Sequence, residues 1–138
     1  MIESLKPEDT TALAMRLAKE AKAGDVFTLI GDLGVGKTLF AQGFAEGLGI
    51  TEPIASPTFT VICEYREGRL PLYHMDVYRI EEEEEAYAIG LDEYLDGDGV
   101  CLIEWADQIK EMLPAGHKRI EIEKDLSKGF DYRRITIS

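Results

Sequence analysis

Gly31, Asp32, Leu33, Gly34, Val35, Gly36, Lys37 and Thr38 follow the pattern of a glycine, four residues, then glycine, lysine and threonine. That pattern suits phosphate. Gly31, Gly34 and Gly36 permit a turn tight enough for backbone N–H groups to converge on phosphate oxygens. A helix starting at Lys37 adds unpaired amide donors and a favourable dipole for the anion. Lys37 can reach the terminal phosphates of a nucleotide, and the Thr38 hydroxyl oxygen can ligate Mg²⁺. The competing assignment, turn glycines beside a surface lysine, leaves the agreement of spacing and context without a cause.

Mg²⁺ is a hard ion that keeps several waters and takes one or two carboxylates besides phosphate. Two carboxylates end expected strands. Glu104 follows Val100, Cys101, Leu102 and Ile103, and suits a direct or water-mediated Mg²⁺ contact or the activation of an attacking water. Its alternative is a strand-end acid that caps the next helix. Asp76 closes Tyr73, His74 and Met75; it either polarises water and holds the metal's surroundings or makes a surface salt bridge. His74 points to the opposite face from Met75 and reads as a hydrogen-bonded packing residue or a support for its neighbours. No His and Cys cluster has zinc spacing.

Ser56, Pro57, Thr58, Phe59 and Thr60 come after the expected phosphate-binding helix. There Thr58 either senses the terminal phosphate from a switch-like loop or simply leads into the next strand. Trp105, the only tryptophan, adjoins Glu104 and either shields the site, meets a partner or packs in the core. The acidic run 81–85 reads as a solvated helix face, because no motif fixes its oxygens around an ion.

These residues need positioning elements. Leu13, Leu17 and Ala21 recur at helical spacing within 7–22, and Gly24 and Asp25 end that helix. The apolar, partly β-branched run 26–30 predicts a strand covered on both faces. A helix over 37–48 follows, then a loop over 51–58, strands over 59–65 and 70–75, and a helix from 81 that Gly90 stops. Residues 91–95 add a short turn, 100–103 a buried strand, and 106–112 a helix-like stretch. Residues 119–123 and 133–137 alternate polar with apolar and predict a two-stranded antiparallel return around a loop at 124–131. The expected fold is α/β and similar to that of P-loop NTPases, a three-layer sandwich with a mostly parallel central sheet and C-terminal antiparallel strands.

The chain's 138 residues, 45% of them hydrophobic, match one domain with its own core. A formal net charge of -12 argues against a broad nucleic-acid-binding face. If RNA is involved, a partner supplies the positive surface. Two separated cysteines, Cys63 and Cys101, fit a reducing cytoplasm better than a disulfide framework. The sequence offers neither a signal peptide nor a membrane-spanning stretch.

Gly31 to Thr38, Ser56 to Thr60, His74-Met75-Asp76-Val77-Tyr78-Arg79 and Ile103-Glu104-Trp105 together resemble the TsaE family of bacterial proteins, also called YjeE, over nearly the whole chain. One departure is Ala106, where that family often has proline; it alters local stiffness without removing a functional group. The resemblance implies a P-loop ATPase that binds ATP and Mg²⁺. It implies work with the TsaB and TsaD proteins on the N6-threonylcarbamoyl modification of adenosine beside the tRNA anticodon. It assigns Mg²⁺ to Thr38 and Glu104, ATP turnover to Asp76 and a switch-like loop to Thr58. It also puts Thr10 near the nucleotide base and Arg133 or Arg134 near the nucleotide.

The candidate catalytic set is thus Lys37, Thr58, Asp76 and Glu104. Thr10 and the residues Gly31, Asp32, Leu33, Gly34, Val35, Gly36, Lys37, Thr38 and Leu39 form the candidate nucleotide-binding set. By resemblance, group transfer occurs on TsaD, while this subunit uses ATP to reset or activate the complex, with tRNA met mainly through the complex and no membrane. Hydrolysis by the isolated chain is then expected to be weak. One rival is a small-molecule kinase, although Arg66, Arg69 and Arg79 form no recognisable lid pattern. Another is a nucleotide-controlled binding subunit with negligible turnover.

Overall fold

The computed structural model describes residues 2–31, 36–54, 62–78 and 80–138. Its seven strands form one sheet in the order β1-β7-β6-β2-β5-β4-β3. They are β1 (Ile2–Ser4), β2 (Val26–Ile30), β3 (Ile62–Tyr65), β4 (Leu72–Asp76), β5 (Val100–Glu104), β6 (Lys118–Lys124) and β7 (Arg133–Ile137). The central strands β6, β2, β5 and β4 run parallel. On one side β3 pairs antiparallel with β4; on the other β7 pairs antiparallel with β6, and β1 antiparallel with β7. The expected α/β architecture is present, with helices on both faces.

Alternation along the buried strands sorts the core. In β5, Val100 and Leu102 join one apolar cluster while Cys101 and Ile103 join the other. The first cluster is sealed by α1 (Pro7–Glu20) and α2 (Lys37–Gly47). Phe44 is fully buried and meets Phe27 edge to face at 5.1 Å between ring centroids. The second cluster lies under α3 (Glu83–Ala88), α4 (Leu91–Leu95) and a 3₁₀ segment, Ala106–Met112.

The two long helices approach closely because Gly47 faces α1. A Cβ there would stand 2.5 Å from the Met15 carbonyl oxygen, a contact no side chain tolerates. Pro7 opens α1, where its missing N–H costs nothing. At the other end, one guanidinium nitrogen of Arg69 lies 2.6 to 2.9 Å from the carbonyls of Ala18, Lys19 and Ala21. Arg69 thereby brings a charged donor to the carbonyls of the last turn, where the helix supplies few donors of its own.

Some elements differ from expectation. α1 ends at Glu20 rather than residue 22, and α3 begins at Glu83 rather than residue 81. The 106–112 stretch is 3₁₀ and broken at Ile109 rather than regularly helical. Residues 126–128 form a 3₁₀ turn inside the expected loop. β6 pairs with β2 as well as β7, so the C-terminal return is part of the main sheet. β1 carries no sequence signal long enough to announce a strand; it exists because β7 offers it an edge. The first part of the strand expected over 59–65 lies outside the described residues. No helix among the described residues is long and apolar enough to cross a membrane.

Candidate functional site

Parallel strands bring their carboxyl ends to one edge of the sheet, the usual place for a ligand in open α/β proteins. β2 ends there at Ile30 and leads through Gly31 toward α2, β4 ends at Asp76, and β5 ends at Glu104. Asp76 and Glu104 are register partners on adjacent strands. Gly36 precedes α2 with φ 111° and ψ 19°, a left-handed conformation that suits glycine. The α2 ladder starts beside it, with Phe40 N–H donating to Gly36 O at 3.0 Å.

Strand alternation also decides which side chains meet. Leu72 and Leu102 belong to the cluster under α1 and α2, and His74 and Glu104 follow each by two residues. They therefore share its face. His74 is 1% exposed, and its Nε2 lies 2.8 Å from Glu104 Oε2. The other oxygen, Oε1, lies 3.8 Å from Lys37 Nζ. Lys37 and Glu104 are both buried, so water screens their attraction less than it would at the surface.

Lys37 Nζ also stands 4.4 Å from the centroid of the Trp105 ring, a favourable setting for a cation. Trp105 has φ 61°, uncommon for a residue with a side chain. Its ring packs edge to face on Tyr78 at 5.0 Å. Asp76 Oδ1 accepts from Tyr78 N–H at 2.9 Å, and Val77 N–H donates to Glu104 O at 3.1 Å. The turn after β4 is therefore tied to the end of β5 beside the lysine.

The sequence-derived candidates divide by location. Lys37, Asp76 and Glu104 converge at the strand ends, with Thr38 exposed in the first turn of α2 and Leu39 half-buried beside it. Thr10 is buried in the first turn of α1, with its hydroxyl 2.8 Å from that of Ser4. It takes no part in the Lys37 and Glu104 contacts. Arg134 pairs with Glu123 at 3.1 Å, and Arg133 donates to the carbonyls of Phe130 and Tyr132. Asp32, Leu33, Gly34, Val35, Thr58 and Arg79 lie outside the described residues.

The donor set fits Mg²⁺. Thr38 and Glu104 offer hard oxygens, and among the described residues no three His, Cys, Asp or Glu side chains form a ready cage. Mg²⁺ sites of that kind are completed by phosphate and water. The Lys37 to Glu104 contact was not legible from spacing, nor was the Lys37 to Trp105 contact. The available signal for His74 was weak: polar residues at 74, 76 and 104 share the parity of the face covered by α1 and α2.

The sheet and the glycine-led α2 define an α/β protein of the P-loop NTPase type. Residues 4–135 match the family model described as threonylcarbamoyl adenosine biosynthesis protein TsaE. The chain is 56% identical over 135 residues to the tRNA threonylcarbamoyladenosine biosynthesis protein TsaE of Bacillus subtilis, covering 98% of this chain and 82% of that protein. It is 45% identical over 111 residues to the protein of the same name from Treponema pallidum, covering 80% and 82%. The crystal structure of Bacillus subtilis YdiB superposes with a TM-score of 0.83 at 51% identity, covering 99% of this chain and 82% of that one. The chain belongs to the TsaE family.

Proposed function

We propose that this protein is a Mg²⁺-dependent ATPase subunit that works with TsaB and TsaD proteins in the N6-threonylcarbamoyladenosine modification of tRNA in the cytoplasm. The observation that carries the reading is the convergence of Lys37, Asp76 and Glu104 where parallel strands end beside the start of α2. A lysine buried against a carboxylate is a cation held ready for an anion.

In this reading the residues from Gly31 to Leu39 cradle the phosphates, and Lys37 leaves Glu104 to hold the terminal ones. Thr38 and Glu104 would hold Mg²⁺, which when bound draws charge from the phosphate oxygens. Asp76 orients the attacking water, and Thr58 reports the terminal phosphate. Hydrolysis by the chain alone is slow in this reading, and a partner that orders the site accelerates it. The net charge of -12 suits a basic protein partner, with tRNA held mainly elsewhere in the complex.

Release of phosphate from labelled ATP with Mg²⁺ tests this, using the chain alone, the chain with TsaB and TsaD, and a Glu104→Ala control. Stimulation that vanishes in the control supports the proposal. Unstimulated release despite demonstrated complex formation overturns the partner-gated reading and favours a nucleotide-controlled binding role. Phosphate recovered on a metabolite would favour a kinase.

A further inference from the structure

His74 has the features of a part rather than a filler. It is 1% exposed in a strand whose flanking residues Tyr73 and Met75 are also buried. An apolar residue would fill such a place at less cost, since a buried polar ring must find its partners inside the protein. The ring finds one. Nε2 lies 2.8 Å from Glu104 Oε2, while Nδ1 is the one buried side-chain nitrogen or oxygen among the described residues without a hydrogen-bond partner. A carboxylate only accepts, so the proton of this bond sits on Nε2; Nδ1 meets no acceptor for a second proton, and the neutral ring carries its lone pair there. The geometry serves Glu104 alone.

We infer that His74 is a positioning residue: its Nε2–H anchors one oxygen of Glu104 so that the other stays directed toward Lys37 and the Mg²⁺-binding side of the site. The inference rests on the ATPase reading above and extends it to a residue with no assigned role. Glu104 Oε1 stands 3.8 Å from Lys37 Nζ, longer than a direct hydrogen bond. With Oε2 held, arrival of a nucleotide requires only that Lys37 move to phosphate; the carboxylate is already oriented. Without the imidazole, Glu104 is able to rotate and close both oxygens on Lys37, and metal and phosphate must then break a tighter pair. Partners that orient a metal ligand commonly matter about 10- to 100-fold in metal affinity.

The test compares wild type, His74→Leu, which keeps volume without a donor, and His74→Gln, whose amide retains one. Trp105 is the only tryptophan and lies against Lys37, so its fluorescence reports nucleotide binding directly. Titrations use ATP with Mg²⁺ and ATP with EDTA. The expected result is that His74→Leu binds metal-free ATP like wild type but loses about tenfold or more of the affinity added by Mg²⁺. In the partner-stimulated reaction with Mg²⁺ its KM for ATP rises by a similar factor, and His74→Gln recovers most of both losses.

Undiminished Mg²⁺ dependence in His74→Leu, or a His74→Gln variant as impaired as the leucine variant, overturns the inference. Imidazole ¹⁵N spectra of the ligand-free wild type decide independently of any variant's folding. A proton on Nε2 with bare Nδ1 is expected, and the opposite tautomer overturns it. A wild type that binds Mg²⁺ with ATP yet never hydrolyses it sinks the ATPase reading alone, because the fluorescence and the spectra still judge the link from His74 to Glu104.

Discussion

The two faces of the central sheet are covered by different means. One carries α1 and α2, helices of 14 and 11 residues drawn together at Gly47 and closed at the end of α1 by Arg69. The other carries helices of six and five residues and a 3₁₀ segment broken at Ile109. His74 and Glu104 share the first face, and Lys37 starts the helix that covers it. Short helices gain little from their own hydrogen bonds and depend on packing. The charged groups are thus held from the better braced side, and the less regular side is the one suited to movement.

The largest effect should come from breaking the braced face. Phe44→Ala empties a fully buried position, and loss of such a ring costs about 3–5 kcal/mol. The thermal midpoint should fall by roughly 10 °C or more, and ATP affinity read by Trp105 fluorescence should weaken because Phe44 anchors the helix that begins with Lys37. Undisturbed ATP affinity in that variant would separate the brace from the site.

Leu91→Ala, on the other face and also fully buried, should cost about 2–4 kcal/mol. Here the expected split is a lower melting temperature with metal-free ATP affinity near that of wild type. Equal losses of affinity in the two variants would erase the contrast between faces.

Gly47→Ala sharpens the comparison more gently. The added methyl meets Met15 backbone at 2.5 and 2.8 Å, so α1 and α2 must separate, at about 1–3 kcal/mol. Part of that is offset by the better helix propensity of alanine, about 1 kcal/mol. A midpoint lowered by roughly 3–8 °C is expected in a melting curve; an unchanged or raised midpoint would show that the helices do not depend on close approach.

Cys101, on the less regular face, supplies the smallest effect. Burial pushes its thiol up to about 12 from an ordinary value of 9.0. A raised value in the folded state means that stability is whole below the ordinary thiol range and is lost as pH climbs through it toward 12. Cys101→Ala should therefore flatten the fall in melting temperature between pH 8 and 10.5. If the slope is the same in both proteins, the thiol is not what makes that face sensitive to alkali.

Much of the architecture was legible in the sequence. Leu13, Leu17 and Ala21 mark the apolar stripe of α1, the run from Val26 to Ile30 marks a strand covered on both faces, and Gly90 stops α3 with φ 79°. The placement of the candidate groups was legible wherever it is local: Lys37 opens α2 behind a glycine, and Asp76 and Glu104 end strands. The short β1, the 3₁₀ character after Trp105 and the reach of Arg69 to α1 were not legible. Each depends on a partner distant in sequence, as when Ile2 pairs with Ile135.

Sequence by itself determined which groups could do chemistry and, through a period of two, which face of its strand each would take. Only the tertiary structure decided that β4 lies beside β5 with Asp76 opposite Glu104, that His74 binds the free end of that glutamate, and that Lys37 rests between it and Trp105. The reason is physical. Local pattern sets the direction of a side chain, whereas the neighbour it meets depends on strand order and register, which follow from how the connecting helices pack across the whole sheet.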